Sequence, residues 1–177
     1  MKTYSAFESK EDRKIRKARE KSGLSSMNYD KKNYIVCLKW GNKYSADYVN
    51  RLNNMVSRNC TVPYEFVCFT ENQSGIDKSI RIEPLPSLPI TGWWYKPYFL
   101  SDRLPFRGTL LFLDLDLVIF KNIDNLFSYQ PGKFCIIRDF NRHLRPSWNR
   151  MNSSVFRTEI GQFKNLYNEF EKNSKTM

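Results

Sequence analysis

No apolar run in this sequence is long enough to span a bilayer. The N-terminus lacks the basic start, apolar stretch and small-residue cleavage site of a secretory signal. A cytoplasmic protein is therefore expected. Histidine occurs once, as His143, with no cysteine beside it, and the four cysteines form no CxxC pair; this excludes the usual structural zinc sites. Cys37, Cys68 and Cys135 sit inside apolar, strand-like runs and Cys60 near the end of an expected helix, so buried free thiols are the simplest reading. There is no internal repeat, no low-complexity tract and no RRM, KH or zinc-finger signature.

Positive charge is plentiful. A formal net charge of +11 points to a polyanionic partner: nucleic acid, an anionic membrane surface or a diphosphate ligand. Most aromatic residues lie inside apolar runs, as core residues do, rather than interleaved with lysines as a platform for single strands requires. No nucleic-acid partner is expected, although a single-stranded nucleic-acid-binding module is one alternative. A chain of 177 residues supports one domain with a real core.

Residues 1–32 differ from the rest. The stretch ESKEDRKIRKAREK (Glu8–Lys21) leads with acids and trails with bases, which suits a helix dipole, but its only apolar positions are Ile15 and Ala18. A basic helical or disordered extension is expected, with a peripheral contact to an anionic membrane face as its alternative role. Residues 33–177 read as one domain. Tyr34–Leu38 (YIVCL) is a short, wholly apolar strand; Ser45 could cap a helix running to about Arg58; Tyr64–Phe69 and Ser79–Ile82 are further strands. The prolines at 84, 86 and 89 then exclude helix and central strand. Strands are also expected at Thr109–Asp114, Val118–Phe120, Phe134–Arg138 and Asn152–Arg157, with a helix over Gly161–Lys172 whose face carries Phe163, Leu166, Tyr167 and Phe170. The alternation predicts an α/β fold with a mostly parallel central sheet flanked by helices.

The segment that carries chemistry is LLFLDLDLVIF (Leu110–Phe120), an apolar run interrupted by Asp114 and Asp116 with no basic residue inside it. Ionised carboxylates in such surroundings must be paired, protonated or metal-bound. On an extended chain residues two apart face the same way, and two hard oxygen donors at the carboxyl end of a strand suit Mg2+ or Mn2+. The plainer alternative is a pair of turn or cap residues bonded to backbone amides. Asp124 reads as a cap for a helix at Asn125–Ser128.

Four segments, YIVCLKWGNKY (34–44), WWYKPYFLS (93–101), GTLLFLDLDLVIFKNIDNLF (108–127) and MNSSVFR (151–157), occur in the order and spacing of glycosyltransferases of the GT-A fold. The chain resembles bacterial and large-virus sugar transferases related to glycosyltransferase family 8 from about residue 33 to 170. The resemblance implies a Rossmann-like nucleotide-diphospho-sugar transferase fold and transfer of a sugar from a UDP-, GDP- or TDP-linked donor to a saccharide or lipid-linked acceptor. Asp114 and Asp116 would be the catalytic DxD acids that hold Mn2+ or Mg2+. Leu38, Lys39, Trp40, Lys96 and Leu115 would bind the nucleotide, and Asn152 and Ser153 the sugar; Asp139, ending the expected strand Phe134–Arg138 on the ligand side of the sheet, is a further expected contact to a sugar hydroxyl. Lys39 could instead be a solvated strand-end residue, Lys96 a lysine lying over an aromatic cluster, and Asn152 and Ser153 the start of a strand. Relatives continue beyond the point where this sequence stops at Met177, with a histidine-bearing segment that supplies a third metal ligand. An acceptor half is thus expected to be missing, and a non-catalytic scaffold of the same fold is the main alternative.

Overall fold

The computed structural model describes residues 32–145 and 147–174; the expected basic extension, apart from Lys32, lies outside them. Strand β1 (Asn33–Lys39) leads to helix α1 (Ala46–Asn59), then to β2 (Glu65–Thr70) and β3 (Arg81–Glu83). A 3-10 helix (Gly92–Leu100) precedes β4 (Thr109–Leu113). The short helix α2 (Asn125–Ser128), β5 (Cys135–Arg138), β6 (Met151–Glu159) and helix α3 (Lys164–Ser174) complete the domain. The six strands form one sheet in the order β3-β2-β1-β4-β6-β5. β1 is parallel to β2 and β4, and β2 to β3, whereas β6 runs antiparallel to both β4 and β5.

The apolar runs of β1, β2 and β4 are continuous because both of their faces are covered. Ile35, Cys37, Phe66, Cys68, Leu111 and Leu113 point to one side, where they pack with Val49, Leu52 and Val56 of α1. The alternate residues Tyr34, Val36, Val67, Phe69, Leu110 and Phe112 point to the other, against Phe99, Leu104 and Phe106. Aromatic contacts close that second face: Phe112 stacks on Phe156 at 4.8 Å, and Tyr98 of the 3-10 helix meets Tyr167 of α3 edge-on. Cys37, Cys60 and Cys68 are buried free thiols, as expected, and Cys135 is half-buried.

Several sequence expectations need correction. Val118–Phe120 is not a strand: Val118 and Phe120 are 77% and 78% exposed. The position beside β4 is taken by β6, so this segment leaves the sheet and is tied to the end of α1, with Ile123 N–H donating to the Asn59 carbonyl. β3 starts later than expected because Ser79 is held by its own bonds to the Asp77 carboxylate. In α3 the buried residue is Tyr167, while Leu166 is 59% exposed. The Asp124 carboxylate makes no cap bond to α2. It reaches across the chain to accept from the backbone and hydroxyl of Thr61, from the Val62 amide and from Asn122. These bonds hold its carboxyl well below the usual carboxylate range, the Thr61 hydroxyl contributing most.

Candidate functional site

Strand order reverses between β1 and β4: β2 and β3 lie on one side of β1 and β4 on the other. At such a switch point the loops leaving the two carboxyl ends part, and a crevice opens between them. Here that crevice has a volume of about 140 Å3 and is lined by Leu38, Trp40, Lys43, Tyr44, Trp93, Lys96, Asp114, Leu115 and Asp116. Pockets for small organic ligands run to roughly 300–1,000 Å3, so the enclosed part holds only a portion of such a ligand.

The two acids reach the crevice by a different route from the one the sequence predicts. β4 ends at Leu113, and residues 114–117 form a turn in which Leu117 N–H approaches the Asp114 carbonyl at 3.4 Å. Leu115, 5% exposed, anchors this turn in the core, and the flanking acids both line the crevice. Neither is deeply buried: the Asp114 side chain is 25% exposed and Asp116 is exposed. Ending the strand before the acids removes most of the burial cost inferred from the apolar run.

Each acid has a partner distant in sequence. Lys96 Nζ lies 2.7 Å from Asp114 Oδ1 and 2.8 Å from Oδ2. The same ammonium donates to the Ser153 carbonyl and hydroxyl, each at 3.2 Å, and sits over the Phe112 ring. Ser153 is within reach because β6 runs antiparallel to β4, which brings its first residues to the carboxyl end of β4. On the opposite rim the Tyr44 hydroxyl donates to Asp116 Oδ2 at 2.7 Å. That bond pushes the phenol above its ordinary range, against an opposing effect of Lys43. The Lys43 ammonium lies over the Tyr44 ring, and its own affinity for a proton is raised, first by Tyr44 and more weakly by the two acids. Tyr44 is held in turn by the Tyr48 ring at 4.8 Å.

Of the residues singled out from sequence, Leu38, Trp40, Lys96, Asp114, Leu115 and Asp116 meet in the crevice, and Ser153 touches it through Lys96. Lys39 does not line it. With alternation along β1 it falls on the opposite face from Leu38, and at 6% exposure it is not solvated either. Asp139 follows the outer strand β5 and caps the next 3-10 turn, accepting from Asn141 N–H at 2.8 Å. Asn152 accepts from Ser154 N–H at 2.8 Å and pairs with Ile137 in the sheet; neither lines the crevice. Lys43, Tyr44 and Trp93 were not singled out. Two of them stand in the first quoted segment and the third in the second, but nothing in local spacing reveals a bond between Tyr44 and Asp116.

Among the described residues no three His, Cys, Asp or Glu side chains are grouped as a ready-made metal site. Mg2+ and Mn2+ do not need one, because they bind through one or two carboxylates and complete their shell with water and phosphate oxygens. Asp116, exposed and with one oxygen clear of the Tyr44 bond, suits that role. Asp114 suits it once Lys96 is displaced. Among the described residues no helix is long and apolar enough to cross a membrane.

No protein-family profile and no curated protein sequence matches the chain. Two solved structures of the glycosyltransferase GlyE from Streptococcus pneumoniae TIGR4 are similar to it in fold. The apo form shares 14% identity and the second structure 12%; each aligns over 83% of this chain with a TM-score of 0.53. This chain spans 38% of the GlyE chain. At that identity the likeness is one of architecture: a mixed α/β domain with a mostly parallel, six-stranded central sheet flanked by helices, shared with a glycosyltransferase.

Proposed function

We propose that this protein takes a glycosyl group from a nucleoside-diphosphate sugar, with Mn2+ or Mg2+ held at Asp114 and Asp116, and passes it to a saccharide or lipid-linked acceptor. The observation that carries the reading is the placement of two carboxylates, two lysines and two tryptophans at the carboxyl ends of β1 and β4, where the strand order reverses. Leu38, Trp40 and Leu115 offer apolar surface to a base and ribose. Lys43 and Lys96 bring positive charge to a diphosphate, and Ser153 offers a hydroxyl to the sugar. A divalent ion bound with the donor would neutralise charge on the departing diphosphate. The fold shared with GlyE supports the reaction class; the base, sugar and acceptor belong to the proposal.

A thermal-shift panel of UDP, GDP, TDP and their sugars, each with and without Mn2+, tests the reading. One nucleoside diphosphate with Mn2+ should raise the melting temperature, by linkage to the folded state, and Asp116→Asn should remove the shift. No response to any nucleotide would refute it. The ammonium already seated on Asp114 favours a second reading, in which Lys96 and Lys43 hold the diphosphate without a metal. In that case chelation leaves the nucleotide-induced shift intact.

A further inference from the structure

The pairing of Lys96 with Asp114 has a consequence for the order in which ligands bind. Both Asp114 oxygens lie within 2.8 Å of a single ammonium, which also donates to the Ser153 carbonyl and hydroxyl. The Lys96 side chain is only 12% exposed, so water screens the contact less than on an open surface. Lys43 and Lys96 together balance Asp114 and Asp116, leaving the crevice with no net charge to attract a divalent cation. A metal approaching Asp114 in the free protein would meet an ammonium where it needs an oxygen lone pair.

We infer that Lys96 is a resident counter-ion that keeps Asp114 closed to metal until a diphosphate arrives, so that nucleotide and metal bind as a coupled pair. The inference rests on the reading of Asp114 and Asp116 as a metal-diphosphate site. A diphosphate group supplies the negative charge that the ammonium otherwise finds on Asp114. When Lys96 turns to a phosphate oxygen, the Asp114 carboxylate is freed for the ion, and the phosphates add ligands of their own. Each ligand thus prepares the site for the other, and by linkage the factor by which nucleotide tightens metal equals the factor by which metal tightens nucleotide. Lys96 acts here as a positioning residue: it sets which partner Asp114 may have.

The test is the Mn2+ binding isotherm, read as free Mn2+ by electron paramagnetic resonance, with and without UDP, GDP or TDP. In the unsubstituted protein, the cognate nucleotide should tighten Mn2+ by about tenfold or more, within the usual range of coupling between sites. Lys96→Gln should bind Mn2+ alone about tenfold more tightly than the unsubstituted protein, with the coupling correspondingly reduced. Lys96→Arg should restore the coupled behaviour, and adding Asp114→Asn to Lys96→Gln should cancel the gain. Asp114→Asn alone gives an independent check that leaves Lys96 in place: the uncompensated ammonium should weaken Mn2+ alone somewhat, but the loss should be clearly larger in the presence of nucleotide, when Asp114 would otherwise serve the ion. Equal Mn2+ affinity of Lys96→Gln and the unsubstituted protein would overturn the inference while leaving the donor reading standing. So would an equal loss of Mn2+ affinity in Asp114→Asn with and without nucleotide. If no nucleotide creates a Mn2+ site in any variant, the donor reading itself falls, and the inference with it.

Discussion

Tyr44 and Asp116 show how much of the crevice depends on single hydrogen bonds. The phenol lies at the crevice rim, between Lys43 and Tyr48, and its hydroxyl donates to Asp116 Oδ2 at 2.7 Å. A hydrogen bond to a charged group contributes about 1.5–3 kcal/mol. Because this pair is near the surface, Tyr44→Phe should change the urea midpoint of unfolding little. It should, however, weaken metal-dependent nucleotide binding by about tenfold, corresponding to the lower end of that range; calorimetric titration reads this directly. Unchanged nucleotide affinity would mean that Asp116 needs no orientation. Gly92 is a second residue with a narrow role. Its φ of +68° is unfavourable for other residues, and an added Cβ would sit 3.3 Å from the Trp40 ring. Gly92→Ala should cost about 1–2 kcal/mol in backbone strain, seen as a lower denaturation midpoint, and should push the Trp40 ring in the crevice wall aside slightly. At this scale the sequence was partly legible. Two aspartates in an apolar run announced themselves. Their partners did not: Lys96 is 18 residues from Asp114 and Tyr44 is 72 from Asp116, and no local period encodes a contact across strands.

Among the elements, β1, α1, β2 and β4 were readable because apolar runs and helical spacing are local signals. Val118–Phe120 misled for the same reason. Three apolar residues in a row look like a strand, but Val118 and Phe120 face outward while Leu117 and Ile119 pack against the core on the α1 side. Only the occupancy of the neighbouring position by β6 decides the matter. Asp124 shows a related limit. A short polar residue before a helix suggests a cap, whereas its carboxylate in fact joins the start of α2 to the turn after α1. Its folded-state pKa is depressed, so the stability it provides is present above the unfolded carboxylate range and is lost as pH falls toward the folded value. Asp124→Asn should therefore lower the urea midpoint by a constant amount from pH 8 down to about pH 5, and the gap to the unsubstituted protein should narrow progressively below about pH 4. A gap that persisted unchanged into strong acid would mean that the charge of Asp124 is not what these bonds recognise. Arg157 on β6 performs a similar joining task at greater depth. At 2% exposure it donates to the carbonyls of Tyr129, Gln130 and Lys133, which pins the turn leading into β5. Its sequence neighbourhood gave no hint of this, because the acceptors are main-chain carbonyls.

On the scale of the molecule, the sheet order places the chemistry. Parallel strands β1 and β4 deliver Leu38 and Asp114 to the same edge, and the reversed β6 brings Ser153 to join them. The parallel core could be read from the alternation of strands and helix, but the antiparallel insertion of β6 between β4 and β5 could not. That insertion carries Asp139 away from the crevice, just beyond the end of a strand two positions from β4. The excess positive charge of the sequence is not carried by the crevice: there lysines and aspartates balance, so an anionic ligand must be drawn by specific contacts rather than by bulk charge. The most direct measurement is paramagnetic broadening of backbone amide resonances by Mn2+ in the presence of the cognate nucleoside diphosphate. The account predicts selective broadening around residues 40–44, 114–117 and 153–154, absent in Asp116→Asn. Broadening centred elsewhere, or none when nucleotide and metal are both present, would contradict it.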